Sequence, residues 1–199
     1  MVGSAYAPPT ARQFLDRLVA FPCCAAITIE DQLVDALACR AQILFILRGD
    51  AFDLAPTVQR IHDAGKLVAA HLDLLAGIRA DRSGVSWLAR AGVDAIISSH
   101  GQLMPAIRNE GIVAIQRLLL VRRSHLHAAV GAISRSVPDI LEVLPGVILP
   151  NVVRLMPRLD VPLLAGGFVR TEAEARAVMA AGAVGVTTSW QPLWDLDLG

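Results

Sequence analysis

The chain has no excess of charge of either sign: 18 Lys and Arg balance 18 Asp and Glu over 199 residues, for a formal net charge of zero. A neutral whole offers no general attraction for nucleic acid and counts mildly against it. Long apolar runs are also missing. Arg40, Arg48, Arg79 and Arg117 interrupt every candidate before it reaches the roughly 18 residues that a membrane span requires. Met1 to Thr10 lacks a basic region followed by an apolar one, so no secretory signal is expected. Cysteine is scarce and odd in number. Cys23, Cys24 and Cys39 have no metal-ligand spacing and read as buried thiols in a reducing cytoplasm. No glycine fingerprint of a dinucleotide fold follows the first apolar run, which argues against nicotinamide and flavin cofactors.

What the chain does have is apolar residues, 54% of the total, enough for one large core. They fall into alternating short strands and amphipathic helices. Ala11 to Ala20 carries Phe14, Leu15, Leu18 and Val19 at helical spacing and stops at Phe21-Pro22, which predicts an N-terminal segment, 1–22, whose helix covers a barrel floor. Strands are expected at Cys24 to Ile29, Ile43 to Leu47, Leu67 to His71, Ala95 to Ile97, Val113 to Gln116, Ile140 to Val143, Val161 to Ala165 and Gly185 to Thr188. Helices between them are expected at Glu30 to Ala38, Leu54 to Ala64, Val85 to Ala91, Met104 to Glu110, Ser124 to Ser134, Ile148 to Leu159 and from Thr171 to a stop at Gly182. Eight such units predict an α/β fold, a compact (β/α)8 TIM barrel forming a single domain over 1–199, with an open doubly wound sheet as the alternative.

The stretch from Val161 to Ser189 is organised around two turns. Gly166-Gly167 lets backbone N–H groups approach a ligand without a Cβ in the way, and Thr188-Ser189 places hydroxyls and further donors one helix later. Loops after strands seven and eight of a barrel often hold phosphate, so these four residues form a candidate phosphate pocket. The intervening helix is capped by Thr171, with Glu172 and Glu174 in its first turn and an apolar stripe of Ala173, Ala177, Val178 and Ala181. Asp50, His71, Asp73, Ser99, His100, Gln116, Arg117 and Glu142 all fall near strand ends on the same expected face. His71 and Asp73 stand two apart, on one side of an extended chain, as a metal pair or an acid/base pair would. A metal is disfavoured because no second histidine or carboxylate has matching spacing. Arg117 and Glu142, on adjacent strands, either pair with each other or contact a ligand. His125 and His127, two apart on a helix, face different ways and read as solvated.

The segments GDAFDL at 49–54, HDAGKLVAAHLDLLAGI at 62–78, DAIISS at 94–99, IQRLLL at 115–120, LEVLPG at 141–146 and AGGFVRT at 165–171 occur in register. With them the chain resembles the glycerol-3-phosphate-responsive antiterminators from about Phe14 to Trp194. The resemblance implies a small TIM barrel without catalysis or cofactor, which senses glycerol-3-phosphate and acts on the leader of its messenger RNA to prevent transcription termination. It implies that Gly166, Gly167, Thr188 and Ser189 hold the phosphate, with Asp73, Gln116 and Glu142 available to the glycerol hydroxyls. The chain departs from the pattern at Thr28 and His100, where lysine is common, and at Trp190-Gln191-Pro192, where asparagine and a basic residue often follow. Two cations are thereby lost from an anion site. The other reading is a phosphate-handling barrel enzyme, an isomerase or aldolase. Against a Schiff-base aldolase, the only lysine, Lys66, falls at the start of strand three, away from the ligand face. Arginine clusters at Arg117, Arg122, Arg123 and Arg135, and Arg122 and Arg123 are the candidate RNA contacts. A homo-oligomer is left open by the sequence.

Overall fold

The computed structural model describes residues 6–28, 31–121, 131, 133, 135–155 and 160–198. Eight parallel strands close into a barrel in chain order. They are β1 (Cys23–Ile27), β2 (Ile43–Ile46), β3 (Leu67–His71), β4 (Ala95–Ser98), β5 (Val113–Leu119), β6 (Ile140–Leu144), β7 (Leu163–Gly166) and β8 (Ala183–Thr188). The ladder is completed by β8 lying beside β1, with Cys24 opposite Thr187, which excludes the open sheet. The helix α1 (Ala11–Ala20) precedes the barrel, and outside it run α2 (Gln32–Ala38), α3 (Leu54–Asp63), α4 (Arg82–Arg90), α5 (Met104–Asn109), the single turn α6 (Leu149–Val152) and α7 (Glu172–Ala180). The expected helix from Ile148 is shorter and broken: a 3-10 turn at Gly146–Ile148 precedes α6 and another at Val153–Leu155 follows it, as Pro150 gives a start but no length.

Side chains alternate along each strand, so one set fills the barrel and the other meets the helices. Cys24, Ala26, Ile43, Phe45, Leu67, Ala69, Ala95, Ile97, Val113, Ile115, Ile140 and Leu164 form the interior cluster, and Phe14 and Leu18 of α1 belong to it. The N-terminal helix is thus a plug in the barrel's amino end. Its start is held by a capping box in which Thr10 Oγ1 accepts from Gln13 N, and its close seat depends on Gly185, where a Cβ would come within 2.6 Å of Leu18 Cδ1. Val19 of the same helix is exposed, as is Val34 of α2, because only one stripe of each short helix meets the barrel. In α7 the buried residues are Ala175 and Val178, while Ala173 and Ala177 face solvent.

Two buried polar clusters close the same end. Lys66 donates to the carbonyls of Cys39 and Ala41, so the lone ammonium is spent on the barrel floor. Cys39 is half-buried, unlike Cys23 and Cys24. Asp94 is fully buried, accepts from Val68 N at 2.7 Å, and is met by Tyr6 Oη and by His62 Nε2 at 3.0 Å, with the Tyr6 ring stacked on His62. This ties the segment before α1 to the strands.

Candidate ligand site at the carboxyl end of the barrel

The inward parity that packs Ile115, Ile140 and Leu164 continues to Arg117 on β5, Glu142 on β6, and Gly166 on β7, and the β8 register adds Thr187. These four residues touch. Glu142, 2% exposed, accepts from Arg117 Nε through Oε2 at 2.9 Å and from Thr187 Oγ1 through Oε1 at 2.9 Å. The Arg117 side chain is 14% exposed, and its two amino nitrogens have no protein partner among the described residues. Gly166 is glycine because a Cβ there would lie 2.6 Å from Thr187 Oγ1 and 2.7 Å from Glu142 Oε1. Of the two readings of Arg117 and Glu142 the ion pair is formed, and it engages only Nε of the guanidinium.

Beyond Gly166 the chain turns through Gly167 at φ +81° and Phe168 at φ +61°, and Phe168 projects into solvent. Thr188 faces the helix layer, not the mouth: its Oγ1 donates to Val169 O at 2.8 Å and accepts from Trp190 N at 3.1 Å. It acts as a clasp between the two turns, and the hydroxyl that faces the barrel axis is Thr187, one position earlier. Trp194 Nε1 donates to Thr188 O and holds the end of β8 from outside. Ser189 is exposed. Among the described residues the backbone N–H groups of Gly167, Phe168 and Ser189 have no protein acceptor.

The β3 and β4 ends form the opposite side. His71 is 1% exposed, and neither ring nitrogen has a hydrogen-bond partner. Burial, followed by the positive charge of Arg117, lowers its pKa to about 4, so the imidazole is neutral. Asp73 does not join it. A 3-10 turn at Leu72–Leu74 replaces the extended chain that the two-residue spacing presupposed, and the Asp73 carboxylate accepts from Ser98 Oγ at 2.6 Å and Ser99 N at 2.7 Å. The metal or acid/base pair is accordingly not formed.

Other candidates lie elsewhere. Gln116 has outward parity, and its Oε1 accepts from Ser136 Oγ in the helix layer. Asp50 is exposed at the β2–α3 loop, where its carboxylate caps Phe52 N at 2.9 Å, beside a cleft of about 150 Å³ lined by Thr28, Arg48 and Leu54. His100 is exposed on the β4–α5 loop. Arg122, Arg123, His125, His127, Ile29, Glu30 and the stretch 156–159 lie outside the described residues. Thr187, not Thr188, is the hydroxyl that meets Glu142 at the mouth, and extending the alternation from Gly185 is the signal for it.

The closed parallel barrel carries a half-open arginine, two turns and an unpaired imidazole at its carboxyl end, the face on which barrels of this architecture bind their ligands. A family model for the glycerol-3-phosphate responsive antiterminators matches residues 23–194, and the chain belongs to that family. It is similar to a glycerol uptake operon antiterminator regulatory protein from Listeria monocytogenes (29% identity, 86% of this chain and 94% of that one, TM-score 0.82). It is also similar to a glycerol uptake operon antiterminator-related protein from Thermotoga maritima (26% identity, 88% and 99%, TM-score 0.79). The Escherichia coli K12 protein YgcP, itself uncharacterized, is 32% identical over 177 residues, 88% of this chain and 92% of YgcP. Aldolase barrels at 14% identity share the fold alone. Among the described residues, no helix is long and apolar enough to cross a membrane.

Proposed function

We propose that the chain senses glycerol-3-phosphate at the carboxyl-end mouth and, when loaded, acts in the cytoplasm on the leader of a messenger RNA to prevent transcription termination. The observation that carries the ligand part is the Arg117 guanidinium: Glu142 fixes it through Nε and so aims the remaining amino groups into the mouth, where the turns at Gly167 and Ser189 offer further donors. A phosphate meets a preset fork and free backbone N–H groups without either having to be reorganised. Family membership supports the regulatory half. The same geometry supports binding without turnover, because the one lysine is committed to the barrel floor and His71 and Asp73 do not form an acid/base pair.

Calorimetric titration with glycerol-3-phosphate checks this reading. The parent should bind, and Arg117→Lys, which keeps the charge that Glu142 needs but loses the fork, should bind at least tenfold more weakly at unchanged circular dichroism. NMR after incubation with glycerol-3-phosphate or triose phosphates should show unchanged compounds. Equal affinity in the variant places the ligand elsewhere, and a product that forms with the parent and not with Glu142→Gln favours the enzyme reading.

A further inference from the structure

Among the described residues, the only buried side-chain nitrogen or oxygen atoms without a hydrogen-bond partner are Nδ1 and Nε2 of His71. Buried polar atoms are otherwise paired almost without exception, and an orphan persists where it serves something outside the folded chain itself. The location gives that something. His71 ends β3 with the inward parity of Leu67 and Ala69, and the charge of Arg117 is near enough to act on it. The two carboxylates on this side are already engaged: Asp73 accepts from Ser98 and Ser99, and Glu142 from Arg117 and Thr187. Burial, with the guanidinium of Arg117 outweighing the carboxylate of Asp73, holds the imidazole neutral, and a neutral imidazole carries one donor and one acceptor.

With neither nitrogen committed to the protein, nothing selects a tautomer. The ring can accept from a hydroxyl, or donate to a carbonyl oxygen, at the same nitrogen. We infer that His71 is the specificity-determining residue of the mouth: it recognises the oxygen substituent of a short phosphate ester, and it admits the carbonyl-bearing triose phosphates alongside the polyol phosphate. This rests on the phosphate-sensing reading and extends it to a second ligand class. Arg117 and the two turns answer the phosphate, which all such esters share. His71 answers what distinguishes a hydroxylated or carbonyl-bearing ester from a plain alkyl phosphate, because an alkyl chain leaves the buried ring unpaired.

Three probes separate the roles by calorimetric titration on the full chain: glycerol-3-phosphate, dihydroxyacetone phosphate and propyl phosphate. The parent should bind the first two within about tenfold of each other and propyl phosphate at least tenfold more weakly than either. His71→Leu should bring all three to the propyl phosphate affinity of the parent, and His71→Asn, which restores a donor and an acceptor, should recover part of the preference. Because leucine removes the orphaned atoms, the His71→Leu variant should also unfold at a higher temperature than the parent, which separates lost selectivity from lost folding. Retained preference in His71→Leu, or a parent that binds propyl phosphate as well as glycerol-3-phosphate, overturns the role of His71 and leaves the phosphate site standing. A parent that takes glycerol-3-phosphate but not dihydroxyacetone phosphate overturns the tautomer argument. A parent that binds none of the three overturns this inference and the sensing function together.

Discussion

Replacing Gly166 with alanine adds one methyl group at the most crowded point of the site. That carbon would sit 2.6 Å from Thr187 Oγ1, 2.7 Å from Glu142 Oε1 and 3.1 Å from Leu144 Cδ1, closer than carbon approaches oxygen without displacement. Neither oxygen yields freely. Glu142 is anchored by Arg117 Nε and Thr187 Oγ1, both at 2.9 Å, and both acceptor and hydroxyl are buried. Either β7 shifts outward, at the overpacking cost of about 1–3 kcal/mol, or the Thr187–Glu142 bond breaks at about 1 kcal/mol and strains the ion pair as well. The expected loss is about 2–3 kcal/mol, which for a domain of this size lowers the thermal midpoint by about 5–10 °C. The ligand should no longer raise it, since the Gly167 turn moves with β7. Thr187→Ala removes one of the two clashing oxygens, so the double variant should be less destabilised than the sum of the singles by about 1 kcal/mol. Urea unfolding followed through the fluorescence of Trp194, buried against the outer face, measures all three. A Gly166→Ala variant within 0.5 kcal/mol of the parent, or strictly additive effects, refutes the packing argument.

The His71 imidazole also predicts a pH dependence. Its folded pKa of about 4 lies below the ordinary 6.5, so the unfolded chain binds a proton that the folded chain refuses, and stability contributed above pH 6.5 is lost as pH falls through about 4. The loss amounts to about 3 kcal/mol over that window, and His71→Leu should remove it; urea midpoints at pH 7 and 4.5 that fall equally in parent and variant contradict the assignment. For RNA, the double change Arg122→Glu and Arg123→Glu should weaken leader binding and flatten its salt dependence while glycerol-3-phosphate binding is kept. Unchanged affinity in filter binding removes these two arginines from the interface.

The barrel was legible because each strand is a short apolar run bounded by glycine or a polar cluster, a pattern set by burial on both faces and independent of strand length. Its ends were not, since a strand stops where its neighbour stops: β5 runs on to Leu119 because Leu118 and Leu119 find partners in Val143 and Leu144, a pairing that no local composition announces. Arg117 and Glu142 were recognised as neighbours for the same reason that β5 and β6 pair in register. The faces were harder. Alternation decides whether a polar residue at a strand end points into the mouth or into the helix layer, and an error of one position reverses it. Gln116 and Thr188, both expected as ligand contacts, sit on the outer parity, while Thr187 lies inside, two positions on from Gly185. Asp73 turns its carboxylate to Ser98 and Ser99 because the chain begins a 3-10 turn at Leu72. The contacts of Asp94 with Tyr6 and His62 span 88 and 32 residues and carry no local signal at all. The turns after β7 and β8 depend least on side-chain direction. Among the described residues the N–H groups of Gly167 and Ser189 have no protein acceptor whatever the neighbouring side chains do, and a glycine at 166 is required because a Cβ there would meet both Thr187 Oγ1 and Glu142 Oε1.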